Sequence, residues 1–392
     1  MQLYTLDPLL RRQYVIDSWI SLIWTERFNT YGDFQLDIWS TLQTRTLLVE
    51  DTLLALSDSN YVMRIESVED DVDAAGIKLL IIKGRSIEAT LYDRVAFVAN
   101  TDTTTNPKWT ITDAPAAVCR KIFHDICVTG TLDPGDVIPG VVEGTFLPAS
   151  TITEPVDPIT VDITPTTVYD AITQICGTWS LGMRLLRKDS TGQLYFDIYA
   201  GSDRTTSQTA LTPVVFSPEL DNLQNTKEIT DISKAKNVAY VYSPAGFQMV
   251  YAQGVDPTID GFERRVLVVD ANDITSTSVA DVPSALIRRG NDALAAARTT
   301  QVFDGEISQN SSYLYGRDYN LGDLIETRNT DGVANNMRVT EQIFVSDNNG
   351  VRSYPTLTLN TFINTGSWLA WMSAKQWIDL DPDTTSVWGN QP

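Results

Sequence analysis

The feature that most narrows the possible folds is a short pattern that occurs twice. Near one end stand Asp51-Thr-Leu-Leu-Ala-Leu, then Met63-Arg64-Ile65-Glu66, then Gly76-Ile77. Near the other stand Asp323-Leu-Ile-Glu-Thr, then Met337-Arg338-Val339-Thr340, then Gly350-Val351. The Met-to-Gly spacing is 13 residues in both, from 63 to 76 and from 337 to 350, while the Asp-to-Met spacings are 12 and 14. Alternating β-type runs with a turn glycine at a fixed offset predict two copies of one β unit.

The same alternation runs from Tyr14 to Glu88, as in Ser21-Leu-Ile-Trp-Thr-Glu-Arg-Phe and Phe34-Gln-Leu-Asp-Ile-Trp, with turns at Tyr31-Gly32-Asp33 and Ala74-Ala75-Gly76. It predicts a first β-barrel domain over residues 1–105. Residues 106–210 predict an α+β domain. Its first helix lies between Asp113 and Val128, with Asp113 as cap and Pro115 in the first turn. A long surface loop follows over 130–165, then a second helix with Thr167 and Asp170 at capping-box spacing and Ile172, Ile175, Cys176 and Trp179 inward. Met183 to Leu186 and Leu194 to Tyr199 predict a hairpin.

Residues 211–300 predict a β segment and a helix over 283–298 capped by Asp281, linking to a second β-barrel unit over 301–363. Residues 364–392 hold Trp368, Trp371, Trp377 and Trp388 among nine tryptophans. Capped by Ser367, a helix from Trp368 to Asp379 would carry Trp368, Trp371, Met372 and Ile378 on one side and Trp377 on the other. Two apolar faces predict a C-terminal arm that docks on a neighbouring subunit or another protein, the alternative being that it folds back on the last β unit of its own chain. The expected class is β-rich α+β: two related β-barrels with an inserted α+β domain.

Charge excludes some functions. Against 29 Lys and Arg stand 50 Asp and Glu, a net −21, which repels a phosphate backbone, so no specific nucleic-acid binding is expected. The most apolar run, Ile77 to Ile82, is short and carries Lys78, and Asp7, Arg11 and Arg12 break a leader pattern, so neither a membrane anchor nor conventional secretion is expected. Three cysteines, Cys119, Cys127 and Cys176, leave one unpaired, and the apolar stretches around Cys119 and Cys176 predict buried thiols in a protein folded in a reducing cytosol.

Candidate reactive groups are few. His124 is the lone histidine, with Cys119 and Cys127 at −5 and +3, which is not a metal-ligand spacing; a helix-side histidine with a local hydrogen bond is expected. No Gly-x-Ser-x-Gly presents a nucleophile. Glu69-Asp70-Asp71-Val-Asp73 reads as a solvated acidic turn between strands. Asp379-Leu-Asp381-Pro-Asp383 starts like a calcium loop, but Thr384 and Asn390 stand where Gly and Glu are needed. Trp39 and Trp179 could stack on sugars, yet strand and helix aromatics are expected in the core. No catalytic, cofactor or metal residue is assigned.

Ser21-Leu-Ile-Trp-Thr-Glu-Arg-Phe-Asn-Thr-Tyr-Gly-Asp-Phe-Gln-Leu resembles the opening of minor tail proteins of siphophages infecting Gram-positive and actinobacterial hosts, with Gln35 in place of their usual Glu. Val215-Phe-Ser-Pro-Glu-Leu-Asp-Asn-Leu and Tyr319-Asn-Leu-Gly-Asp-Leu-Ile, followed by Arg338-Val-Thr-Glu and Gly350, extend the resemblance. It implies the fold of contractile-phage baseplate hubs and a homotrimer whose six barrels meet a sixfold tail tube. The implied partners are the distal tail protein, the tape measure protein and receptor-binding or central fibre proteins, and the implied location is the distal end of the virion tail. A tail-borne or secreted polysaccharide-degrading enzyme and a carbohydrate-binding module are the alternatives.

Overall fold

The computed structural model describes residues 1–72, 76, 78–97, 108–252, 254–272, 274, 282–297, 300–307, 313–328 and 334–359. The arm residues Trp368, Trp371, Met372, Trp377, Ile378 and Trp388, the caps Asp281 and Ser367, Asp73 and the acids Asp379 to Asp383 lie outside them. The chain forms two units: unit 1 comprises Met1–Ile229 and Val302–Leu359, and the described part of unit 2 lies within Thr230–Gln301.

Unit 1 opens with β1 (Leu3–Leu6), β2 (Arg12–Ile16), β3 (Ser21–Arg27), β4 (Asp33–Trp39), a short helix α1 (Leu42–Leu47), β5 (Leu53–Leu56), β6 (Val62–Val72) and β7 (Lys78–Ser86). Alternation sorts the faces: Leu22 and Trp24 on β3 and Phe34, Leu36 and Ile38 on β4 are buried, while Ile23 and Trp39 face out. Trp39 is 49% exposed, so it is not the core residue its strand position suggested. Glu69, Asp70 and Asp71 belong to β6 rather than to a turn; paired with Ile81, Leu80 and Leu79 of β7, they prolong the hairpin into solvent, and Asp70 meets Arg45.

Next come β8 (Val95–Ala96), β9 (Trp109–Asp113), α2 (Pro115–Phe123), β10 (Val141–Glu143), β11 (Ile159–Ile163), β12 (Thr166–Thr167), α3 (Val168–Trp179), β13 (Gly182–Arg187) and β14 (Leu194–Tyr199). The cap of α2 is Ala114, not Asp113, which closes β9 opposite Ile159. Pro115 at the first helical position holds its predecessor extended, so the helix cannot start earlier. The Thr167 hydroxyl accepts the Asp170 N–H at 3.0 Å, capping α3 as expected. The 130–165 stretch is less irregular than its composition suggested, because β10 pairs in parallel with β14 and β11 antiparallel with β9. The two helices and the β13–β14 hairpin enclose a separate core in which Phe123 stacks on Phe196, ring centroids 3.6 Å apart.

After β15 (Asp203–Arg204), β16 (Val215–Phe216) and β17 (Leu223–Asp231), the chain enters unit 2, built of β18 (Val238–Ser243), β19 (Gly246–Tyr251), β20 (Val266–Asp270) and α4 (Val282–Ala296). Ala239, Val241 and Val250 pack with Ala285, Leu286 and Leu294, so α4 covers one face of this three-stranded sheet. The chain returns to unit 1 through β21 (Thr300–Ile307), β22 (Leu324–Arg328), β23 (Ala334–Asp347) and β24 (Gly350–Leu359).

One 14-stranded sheet joins the early and late strands, in the order β17-β21-β24-β23-β3-β4-β7-β6-β5-β1-β2, with β22 bonded to β23 and to β15 and β16. The junction is β23 with β3, from Glu341 opposite Arg27 to Ser346 opposite Leu22. Among the described residues the path does not close on itself into a barrel.

The repeated motif forms two matching β meanders, β5–β6–β7 and β22–β23–β24. Leu54 opposes Met63 and Ile325 opposes Met337. The pairing with the following strand slips by one residue just after Ile65 and just after Val339, so each central strand carries a β-bulge three residues beyond its Met. Met63, Ile65, Met337 and Val339 are buried in one shared core. Asp51, however, does not match Asp323. The Ile65 carbonyl accepts the Asp51 N–H at 2.8 Å, and the Val339 carbonyl accepts the Gly322 N–H at 2.8 Å. Asp51 therefore corresponds to Gly322, and both hold positive φ, 63° and 85°. Asp and Gly are residues that tolerate this left-handed entry to a strand.

Candidate functional site

Titratable groups converge in the core of unit 1, at the seam between the two meanders. Glu26 lies on β3, which is bonded to β4 on one side and to β23 on the other. It alternates with Leu22 and Trp24, so its side chain enters the core and is 1% exposed. Its carboxylate accepts the Tyr315 hydroxyl at 2.7 Å and the Trp24 indole N–H at 3.3 Å. Burial pushes its pKa up to about 7, against the opposing pull of hydrogen bonds from Ser59, Tyr315 and Trp24. Beside it on β23, the buried Gln342 accepts the Tyr319 hydroxyl at 3.1 Å.

A cavity of about 80 Å³ opens next to Glu26, lined by Ser59, Asn60, Tyr61, Arg184, Tyr199 and Tyr315 among others. Arg184 is held by Asp197 at 2.6 Å, and its guanidinium lies 3.8 Å from the centre of the Tyr199 ring. A second buried acid, Glu88, accepts the Leu185 N–H at 2.8 Å and is likewise raised to about 7 by burial. Two carboxylates that ionise near neutral pH are a known resource for acid–base chemistry. The cavity beside Glu26 has room for a few water molecules, where sugar sites need several hundred Å³. A further concavity, about 340 Å³, runs along Thr5 to Pro8 and Asp51 to Leu53. Its Asp7 is held ionised by Arg11, whose backbone N–H and guanidinium both donate to it.

Of the described residues weighed in the sequence, Cys119 and Cys176 are brought into contact in the core of the α+β domain. His124 sits at the surface with Nδ1 2.9 Å from Glu143 Oε2. All three thiols are free and buried, and burial pushes Cys127 up to about 12. Trp179 is half-buried at the end of α3. Glu26 and Glu88 were missed, although strict alternation through Leu22, Trp24 and residue 26 already turns Glu26 inward.

A second cluster ties the late meander to the α+β domain. Asp323 accepts the N–H groups of Ser202 at 2.8 Å and Asn320 at 2.9 Å and pairs with Arg204 at 3.0 Å. Arg338 donates to the Ala200 carbonyl at 2.7 Å and lies over the Phe28 ring. Phe28 occupies the space that a side chain on Gly322 or Gly182 would need: a Cβ on Gly322 would come within 2.4 Å of its ring. These are packing and anchoring arrangements.

Residues 1–357 match the family described as Siphovirus ReqiPepy6 Gp37-like protein. The chain belongs to this family of siphovirus tail proteins. No curated protein matches its sequence. Among solved structures, a tail protein from Neisseria meningitidis MC58 is similar at 14% identity and TM-score 0.56, over 92% of this chain and 96% of that one. The 43 kDa tail protein of prophage MuSo2 from Shewanella oneidensis is similar at 10% identity and TM-score 0.53, over 91% and 96%. At these identities the likeness is one of fold, and it extends over nearly the whole Gp37-like chain. The fold is β-rich with an α+β part.

Proposed function

We propose that this Gp37-like protein is the structural, non-enzymatic hub of a long-tailed phage tail tip, acting as a homotrimer. In this reading residues 1–105 and 301–363 contribute two β-barrel-like modules, 106–210 an α+β domain, 211–300 the linking segment with its helix, and 364–392 a docking arm. The observation that carries the proposal is the pair of meanders matched in register, bulge and left-handed entry residue. Three chains with two like surfaces each offer six, which suits a sixfold tube of tail and distal tail proteins, with threefold tape-measure, receptor-binding or fibre proteins on the other side. The net charge of −21 favours free passage of DNA through such a ring. The virion's distal tail is the location this implies. A cryo-EM map of the tail tip tests it: three copies around the axis, with both meanders facing the tube, are expected, and a single copy or a lumen lined mainly by Lys and Arg overturns it.

A further inference from the structure

Unit 2 has a sheet face whose aromatic half stands exposed, although Val238 at its other end is buried. While Ala239, Val241 and Val250 turn toward α4, the register places Tyr240 between Met249 and Val268, and Tyr242 opposite Phe247, on the other side. Tyr242 and Phe247 are 48% and 49% exposed and Val268 is 68% exposed. Phe247 contacts both tyrosine rings, with centroids 5.0 and 5.7 Å away. Arg264 borders the patch, its guanidinium about 6 Å from the Tyr240 and Tyr251 rings; it donates to the Ile259 carbonyl and the Tyr240 hydroxyl and has no carboxylate partner among the described residues. A contiguous aromatic patch of this kind marks an interaction surface.

We infer that the tryptophan-rich segment 364–392 of the same chain docks on this face. Two observations select that occupant. The register of β21 with β24 sets Val302 opposite Thr358, so the chain leaves β24 at Leu359 beside Gln301, where it also leaves unit 2. From there the eight residues before Trp368 reach ~26 Å at ~3.3 Å per residue, more than twice the ~11 Å radius of gyration expected for a unit of this size. The chemistry also matches: Trp368, Trp371 and Met372 supply rings and a thioether for the Tyr–Phe–Met surface, and Asp379, Asp381 and Asp383 supply carboxylates for Arg264.

The test uses the full-length isolated chain, so it is independent of trimer or tail assembly. Phe247→p-benzoylphenylalanine is irradiated and the product mapped by mass spectrometry, with Tyr242→p-benzoylphenylalanine as a second position should the first disturb folding. The expected result is a cross-link at monomer mass to a peptide within 364–392, with the yield falling at least about fivefold when Trp368→Ser and Trp371→Ser are added. Cross-links elsewhere in the chain, cross-links at doubled mass, or a yield no higher than from the same label at the exposed Val351 overturn the inference.

Discussion

The two meanders share a plan and differ in what their conserved-looking positions touch. In the early copy Arg64 lies near the surface, where Glu66, the bulged residue, gathers it at 3.2 Å and Arg85 at 2.7 Å. In the late copy Arg338, at the same register position, is 7% exposed and reaches the backbone of the α+β domain at Ala200. Across the bulge the early copy has Gly84, where a Cβ would come within 1.8 Å of the Arg64 carbonyl, while the late copy has the buried Leu357. A β framework can thus be reused intact while the side chains on it change from solvated ion pairs to an anchor for an inserted domain. Register and bulge are properties of backbone pairing; the side chains decide what the copy holds.

Substitutions at matched positions test this contrast. Arg338→Ala strips a buried cation from the Ala200 carbonyl and from Phe28, and should cost about 3–5 kcal/mol in urea unfolding, against less than about 1 kcal/mol for Arg64→Ala. Equal losses would erase the distinction between an anchored and a solvated copy. Gly322→Ala combines left-handed strain with a clash against Phe28 and should cost about 2–4 kcal/mol, whereas Asp51→Ala, open to solvent, should cost about 1 kcal/mol.

Glu26 probes the seam between the copies. Its carboxyl has a folded pKa of about 7 against about 4.5 unfolded, so the native state binds the proton more tightly. That contribution is fully present below pH ~4.5 and is lost as pH rises to ~7. Glu26→Gln should therefore flatten the stability profile between pH 5 and 8 by on the order of 2 kcal/mol, leaving the part contributed by Glu88. An unchanged slope would remove Glu26 from the titrating groups.

What could be read in advance follows how far each signal travels along the chain. Met63, Met337 and their turn glycines were legible because alternation and turn offset are local. The match of Asp51 to Gly322 was not, because the connections before the two central strands differ in length and only backbone hydrogen bonds reveal the register. Pairing of Arg27 with Glu341, across most of the chain, has no local signature at all. Strands β10 and β11 stayed hidden in a Pro- and Gly-rich stretch because their partners lie far off in sequence. Glu26 escaped because residue type argued for the surface while its position argued for the core, and position won.

Strands β17 and β21 are neighbours in the large sheet, and the chain passes through unit 2 between them. To the sheet, then, the stretch of unit 2 between β17 and β21 is one long connection that has grown a core of its own. Such an arrangement makes it a cassette: a connection that carries its own core leaves the register of the large sheet to the strands on either side of it. Tail proteins that share this frame could diversify what they bind at that one doorway while the frame itself stays the same.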